Sequence, residues 1–109
     1  MRKNDALEFE QQLATLSLAG WKVLAQGNAA PGAGARAAYT VTNARTRRCI
    51  ISFVGTFGDI RFEYNANSVA TDFPLQPGVY MPIDCQEDDT LDFWNTTGGA
   101  ITVYVMEIC

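Results

Sequence analysis

The residues of this chain that could do chemistry are carboxylates, arginines and cysteines, because the sequence contains no histidine. Histidine is the commonest general base and the commonest metal ligand in proteins. A serine nucleophile of the hydrolase type would need a Gly-x-Ser-x-Gly turn, and the sequence has none. The sequence therefore predicts a protein that is not an enzyme and that needs no cofactor.

Acidic residues crowd the segment 84–89, which reads Asp-Cys-Gln-Glu-Asp-Asp. Hard cations such as Ca²⁺ bind several oxygen ligands of this kind, but the segment lacks the glycine and the trailing glutamate of an EF-hand loop. Glycosidases need two carboxylates that face each other across a cleft, whereas these residues share one turn. The pattern favours an acidic turn that faces solvent and holds no metal.

Three arginines, Arg45, Arg47 and Arg48, lie on one predicted turn. Residues 1–48 hold seven bases and three acids (net +4), and residues 49–109 hold one base and nine acids (net −8). Guanidinium groups pair well with carboxylates across protein interfaces, although solvated loops would give the same charge pattern. We predict that these arginines contact an acidic partner surface, and the few basic residues do not predict nucleic-acid binding.

The three cysteines, Cys49, Cys85 and Cys109, show no metal-ligand or redox spacing. An odd number of cysteines behind a polar N-terminus predicts a reduced compartment without a disulfide framework. Cys49 and Cys85 are then expected to be small buried hydrophobic residues. No apolar run approaches the roughly 18 residues that cross a bilayer, so we predict no membrane contact.

A chain of 109 residues corresponds to one domain. Its first part, residues 1–20, has the pattern of either a short helix or an extended arm. Asp5 and Glu8 could form a capping box, and Phe9, Leu13 and Leu16 would share one helical face. Alternation of large and small residues from 15 to 20 fits an arm equally well.

Residues 21–109 form the predicted β-sandwich domain. Strand patterns occur at 21–25, 39–42, 49–54, 60–64, 78–83, 91–94 and 101–106. The Gly- and Ala-rich segment 27–35 is interpreted as a flexible connector, and Thr96–Gly99 as a hairpin turn. Pro74 and Pro77 precede the strand 78–83, which itself contains Pro82, and these prolines suggest that the strand lies at a sheet edge. The spacing predicts an all-β, antiparallel, jelly-roll-like sandwich of about seven or eight short strands.

The last two strands carry large apolar residues on both faces. Trp94 lies on one face of its strand, and Leu91 and Phe93 lie on the other. In the last strand, Tyr104 and Met106 alternate with inward-facing valines. A lone sandwich needs only one apolar face per strand, so another subunit or the N-terminal segment should cover the second face. We predict a subunit interface that includes Trp94, Tyr104, Met106, Phe9 and Leu13.

The segments 72–79, 83–84, 89–97 and 100–107 together resemble small β-sandwich structural proteins of tailed bacteriophage virions. The resemblance implies a capsid decoration or cement protein that is made in the host cytoplasm and resides in the virion. It implies binding to the major capsid protein, commonly as a homotrimer, with a terminal arm that reaches a neighbour. It carries over no catalytic residue.

Two other functions are compatible with the same residues. One is a tail- or fibre-associated module that recognises a glycan receptor through exposed aromatic residues such as Trp94 and Tyr80. The other is a cellular, trimeric jelly-roll interaction domain unrelated to phage.

Overall fold

The computed structural model describes residues 22–109, and within this range the chain forms eight β-strands. They are β1 (Val23–Ala29), β2 (Arg36–Thr40), β3 (Arg48–Phe53), β4 (Ile60–Tyr64), β5 (Phe73–Pro74), β6 (Met81–Asp84), β7 (Thr90–Asn95) and β8 (Val103–Ile108). The interpretation of residues 1–20 as an arm or helix lies outside the described residues. The all-β prediction is confirmed.

The strands of residues 22–109 form two four-stranded antiparallel sheets. The first sheet has the order β1-β8-β3-β6 and the second has the order β2-β7-β4-β5. Strand β1 pairs with β8, β2 with β7, β3 with β6 and β4 with β5. The pairing is nested: the first strand pairs with the last, the second with the last but one, and so on to the middle of the chain. The described domain is therefore a jelly roll, as the sequence predicted.

The core lies between the two sheets and follows the two-residue period of the strands. In β7, for example, Leu91 and Phe93 are fully buried, and the Phe93 ring packs on Phe62 of β4 with 5.6 Å between ring centroids. The largest buried apolar side chains of this cluster are Val41, Ile51, Phe53, Ile60, Leu75, Leu91, Phe93, Val103 and Val105.

A second, smaller apolar cluster lies on the outer face of the first sheet. Ile50, Met106 and Ile108 are almost completely buried there, with Val23 and Tyr80 packed against them. The prediction that β8 is apolar on both faces is confirmed, because its valines point into the core and Met106 and Ile108 point outward.

The predicted connector 27–35 is partly wrong, because its first three residues continue β1. Gly27 pairs with Val105 of β8, and a Cβ atom on Gly27 would lie 2.7 Å from the ring of Tyr39. The sandwich therefore needs a residue without a side chain at this point of the strand. A glycine that suggests a loop in the sequence is in fact required by close packing between the sheets.

The predicted hairpin at Thr96–Gly99 is also wrong, because β7 and β8 belong to different sheets. The segment crosses from one sheet to the other and is organised by the buried side chain of Asn95. The Asn95 amide donates to the carbonyls of Gly99 (2.7 Å) and Pro31 (3.0 Å), and its oxygen accepts from the backbone of Thr97 (2.8 Å). Turn-forming residues identify a turn but do not show which strands it joins.

Candidate functional site

The long edge of the sandwich that is formed by β5 and β6 exposes residues that face the interior. Phe73 of β5 pairs with Phe62 of β4, so both side chains point toward the opposite sheet. Phe73 is nevertheless 64% exposed. The result is a shallow groove of about 320 Å³, here called the edge groove, lined by Phe62, Glu63, Tyr64, Phe73, Met81 and Ile83.

The edge groove is open because its two border strands are short. Strand β5 has only two residues and β6 has four, and each contains a proline, Pro74 and Pro82. Proline has no backbone N–H and is typical of edge strands that resist pairing with another chain. The edge-strand prediction for residues 78–83 is confirmed, since β6 ends the first sheet. A partner at this edge would therefore contact side chains and not extend the sheet.

The arginine turn lies at the start of β3. The carbonyl of Asn43 accepts from the backbone of Thr46, and the Asn43 side chain accepts from the backbone of Arg45. Arg45 and Arg47 are exposed, and Arg48 is paired with Asp84 of β6 at 3.3 Å. Arg45 and Arg47 line an open hollow of about 730 Å³ together with Ala44, Thr46, Cys85, Gln86 and Cys109.

The three predicted interface residues that the structure describes do not lie on one surface. Trp94 is half-buried on the outer face of the second sheet, and Tyr104 is half-buried on the outer face of the first. Met106 is fully buried within its own chain, so it has no surface to offer a partner. Phe9 and Leu13 lie outside the described residues.

Two exposed phenylalanines were not identified from the sequence. Phe57, in the connection between β3 and β4, is 60% exposed, and Phe73 is exposed in the edge groove. The dipeptide Phe73-Pro74 carries a usable signal, because a proline inside an apolar segment indicates an edge strand. Nothing comparable in the sequence shows that Phe57 is exposed.

Glu107 is a fully buried carboxylate that points to the end of the sandwich where β2 joins β3. The described residues supply five donors to it: the Tyr39 hydroxyl (2.5 Å), the Thr42 amide (3.1 Å) and hydroxyl (2.8 Å), the Asn43 amide (2.9 Å) and the Thr46 hydroxyl (2.7 Å). Burial acts to raise the pKa of Glu107, but these hydrogen bonds outweigh it and lower the pKa to about 2. The charged form therefore holds the β2–β3 connection onto β8.

Asp92 plays a similar part on the outer face of the second sheet. Its oxygens accept from Nε of Arg36 (3.0 Å), from the second guanidinium nitrogen of Arg36 and from the backbone of Ser68 (3.0 Å). Burial acts to raise the pKa of Asp92, but the hydrogen bonds and the charge of Arg36 hold it below its usual value. The ion pair fastens β2 to the central strand β7, and the hydrogen bond from Ser68 fastens the loop after β4 to the same strand.

Asp89 closes the acidic turn against β4. It accepts hydrogen bonds from the Tyr64 hydroxyl, from the Asn65 side chain (3.1 Å) and from the Gln86 backbone (2.9 Å). The hydrogen bond from Tyr64 is the main cause that lowers the pKa of Asp89, and it raises the pKa of Tyr64 to about 12. These contacts give Asp89 a structural role in the turn.

Within residues 22–109, no group of three or more histidine, cysteine, aspartate or glutamate residues could hold a metal ion. The acidic segment 84–89 is divided, because Asp84 pairs with Arg48 and Asp89 is buried. The same part of the chain contains no helix that is long and apolar enough to cross a membrane.

Comparison of the chain with protein-family models, with curated proteins and with solved structures gives no match. The fold and the surface described above are therefore the basis for assigning a function.

Proposed function

We propose that this chain is a structural protein of a virion, which decorates the capsid and stabilises it by binding the major capsid protein. The observation that carries the proposal is the edge groove, where Phe73 faces the interior and yet is 64% exposed. Exposed clusters of large apolar side chains on soluble domains mark contact sites for other proteins. In a decoration protein, such a cluster would be buried against the capsid lattice.

The jelly-roll architecture supports the virion assignment, because capsid proteins of viruses are among the principal users of this fold. The shared fold adds, by analogy, to the resemblance of segments 72–79 and 89–97 to phage structural proteins. Burial of the edge groove alone is too small for stable attachment, which typically buries about 1,200–2,000 Å². Further contacts must therefore lie outside the groove.

The arginine turn offers such contacts. Arg45 and Arg47 are exposed, and guanidinium groups at the rim of an interface pair with carboxylates of a partner. In this proposal Arg45, Arg47 and Arg48 contact acidic residues of the capsid lattice. Contacts of this kind speed association and weaken as the salt concentration rises.

We also propose that the chain assembles as a homotrimer. Trp94 and Tyr104 lie on opposite outer faces of the sandwich. In a ring, each subunit offers two different surfaces to its two neighbours, whereas a two-fold dimer uses one surface twice. Sedimentation equilibrium should give about 36 kDa, three times the chain mass of 11.9 kDa. A mass of 11.9 kDa at all concentrations would refute the trimer.

The capsid proposal is tested with particles of the virus that encodes the chain, assembled without it. Purified protein should sediment with these particles and raise the temperature at which they release their genome. Phe73→Ser should weaken attachment at least tenfold, because it removes the exposed ring of the edge groove. Phe57→Ser is the matched control, since Phe57 is 60% exposed but does not line the groove.

If the wild-type chain does not bind the particles, the virion proposal is wrong. If Phe73→Ser binds as tightly as the Phe57→Ser control, the role of the edge groove is wrong while the virion proposal stands.

A glycan-binding tail or fibre module is the second candidate. Trp94 is half-buried on an outer sheet face, where its strand neighbours are Arg36 and Arg61. An aromatic ring beside polar side chains is a suitable contact for a sugar, and lectins also use the jelly roll. Binding to a glycan array that Trp94→Ala abolishes would favour this candidate. Tyr80 contributes less, because it packs against the cluster around Met106.

A further inference from the structure

The structure brings two distant cysteines into contact. Cys49 lies in β3, and Cys85 follows the last residue of β6, the strand that pairs with β3. Their sulfur atoms are 3.1 Å apart, and both residues are buried, with exposures of 0% for Cys49 and 7% for Cys85. Both are free thiols.

The backbone around the two cysteines is already held in place. The amide of Cys85 donates to the carbonyl of Arg47 at 3.1 Å, which extends the pairing of β6 with β3 beyond its last strand residue. Cys49 pairs with Ile83, which lies two residues before Cys85 in the chain. The two cysteines are therefore diagonal neighbours on the same face of adjacent strands. A disulfide needs a sulfur separation of about 2.05 Å, so about 1 Å of closure is required. Side-chain rotation, together with a small shift of the backbone at Cys85, would close this distance.

We propose that Cys49 and Cys85 form an intramolecular disulfide when the folded chain meets a disulfide oxidant such as oxidised glutathione. The Cys85 thiolate attacks one sulfur of the oxidant, which forms a mixed disulfide and releases one glutathione thiolate. The Cys49 thiolate then attacks the Cys85 sulfur and releases the second glutathione. Two protein thiols lose two protons and two electrons, and one oxidised glutathione becomes two reduced ones.

Cys85 is the entry point because it lines the open hollow beside the arginine turn, whereas Cys49 has no exposed surface. Arg45 and Arg47 line the same hollow, and their positive charge attracts the carboxylates of glutathione. Burial raises the pKa of both thiols, so little thiolate is present at neutral pH. The reaction is therefore slow at pH 7 and accelerates as the pH rises.

The disulfide would join residues 36 positions apart and enclose β4 and β5 within the loop. It would hold the edge strand β6 onto β3, and β6 borders the edge groove through Met81 and Ile83. A cross-link over a loop of this length restricts the unfolded chain and stabilises the fold. The proposal is independent of the virion assignment, since it rests on contacts within one chain.

The test uses the full chain with Cys109→Ser, which removes the exposed cysteine and leaves the pair. The protein is incubated at about pH 8.5 with oxidised glutathione and then denatured for thiol titration and mass measurement. Both thiols should disappear, and the mass should fall by about 2 Da for the loss of two hydrogen atoms. Peptide mapping without reductant should join the peptides that contain Cys49 and Cys85, and the thermal midpoint should rise by roughly 10 °C.

The control carries Cys85→Ala as well as Cys109→Ser, and it should keep one titratable thiol and show no cross-linked peptide. The proposal is overturned if both thiols of the Cys109→Ser protein remain titratable. It is equally overturned if the mass increases through stable glutathione adducts without a cross-link.

Discussion

The Glu107→Gln substitution replaces one oxygen of a fully buried carboxylate with an NH₂ group of nearly the same size. The donors around Glu107 include two backbone amides, those of Thr42 and Asn43, which cannot reverse their direction as hydroxyl groups can. The Asn43 amide points at Oε1 and the Thr42 amide at both oxygens. With the glutamine oxygen at Oε1, both backbone amides keep an acceptor, and the NH₂ group at Oε2 then faces the Thr42 N–H and the hydroxyls of Tyr39 and Thr42.

The expected loss follows from these contacts. A buried N–H without an acceptor costs about 1–3 kcal/mol, and a hydrogen bond to a charged acceptor contributes about 1.5–3 kcal/mol. Loss of the charge weakens every hydrogen bond at this site, and the hydroxyls of Tyr39 and Thr42 lose the charged acceptor Oε2, which together give about 2–4 kcal/mol of lost unfolding free energy. For a domain of this size, the thermal midpoint should then fall by more than about 10 °C.

Urea unfolding followed by tryptophan fluorescence measures this loss as a lower midpoint at an unchanged slope. Glu87→Gln is the matched control, because Glu87 is exposed on the acidic turn and its replacement should change the free energy by less than about 0.5 kcal/mol. If Glu107→Gln costs less than about 1 kcal/mol, the assignment of Glu107 as the anchor of the β2–β3 connection is wrong.

Three further predictions concern acid, the second buried carboxylate and a packed glycine. The pKa of Glu107 is about 2 in the folded chain and 4.5 ordinarily, so its contribution to the unfolding free energy is full above about pH 5 and is lost as the pH falls toward 2. In the Glu107→Gln variant, the urea midpoint should therefore depend less on pH over this range. A pH dependence equal to that of the wild type would contradict the assignment. Asp92→Asn should lower the unfolding free energy measured in urea by about 2 kcal/mol, because the side chain of Asp92 is 2% exposed in its pair with arginine. Asp84→Asn should lower it by less than about 0.5 kcal/mol, because the side chain of Asp84 is 87% exposed. Equal losses for the two variants would contradict a structural role for the Asp92 ion pair. Gly27→Ala should lower the unfolding free energy by about 1–3 kcal/mol, because the added Cβ atom clashes with the ring of Tyr39. Gly32→Ala is the control, since its Cβ atom meets nothing within 4 Å, and it should change the unfolding free energy by less than about 1 kcal/mol. If Gly27→Ala costs no more than Gly32→Ala, the sheets can separate at this point.

Much of the fold could be predicted from residue patterns along the chain. The alternation in Ile60–Tyr64 and in the last strand identifies both the strands and their buried faces, because a strand repeats every two residues whatever its partner is. Proline in 78–83 likewise identified an edge, since the missing N–H is a property of the residue itself. The class of fold followed from the number and spacing of such segments.

The edge groove and the surroundings of Glu107 depend on which strands pair, and short stretches of sequence do not show which strands pair. Phe73 is exposed because β5 and β6 are short and lie at the same edge of two different sheets. Glu107 accepts hydrogen bonds from residues 61 to 68 positions away, and it looks like an ordinary surface glutamate in the sequence.

The cysteines show the same division. Their residue type and odd number were readable from the sequence and predicted small buried side chains without a disulfide framework. Only the pairing of β6 with β3 brings the sulfur atoms of Cys49 and Cys85 to 3.1 Å. Local sequence thus determines strands and faces through the two-residue period, whereas tertiary structure decides which distant residues meet, because jelly-roll contacts join segments far apart in the chain.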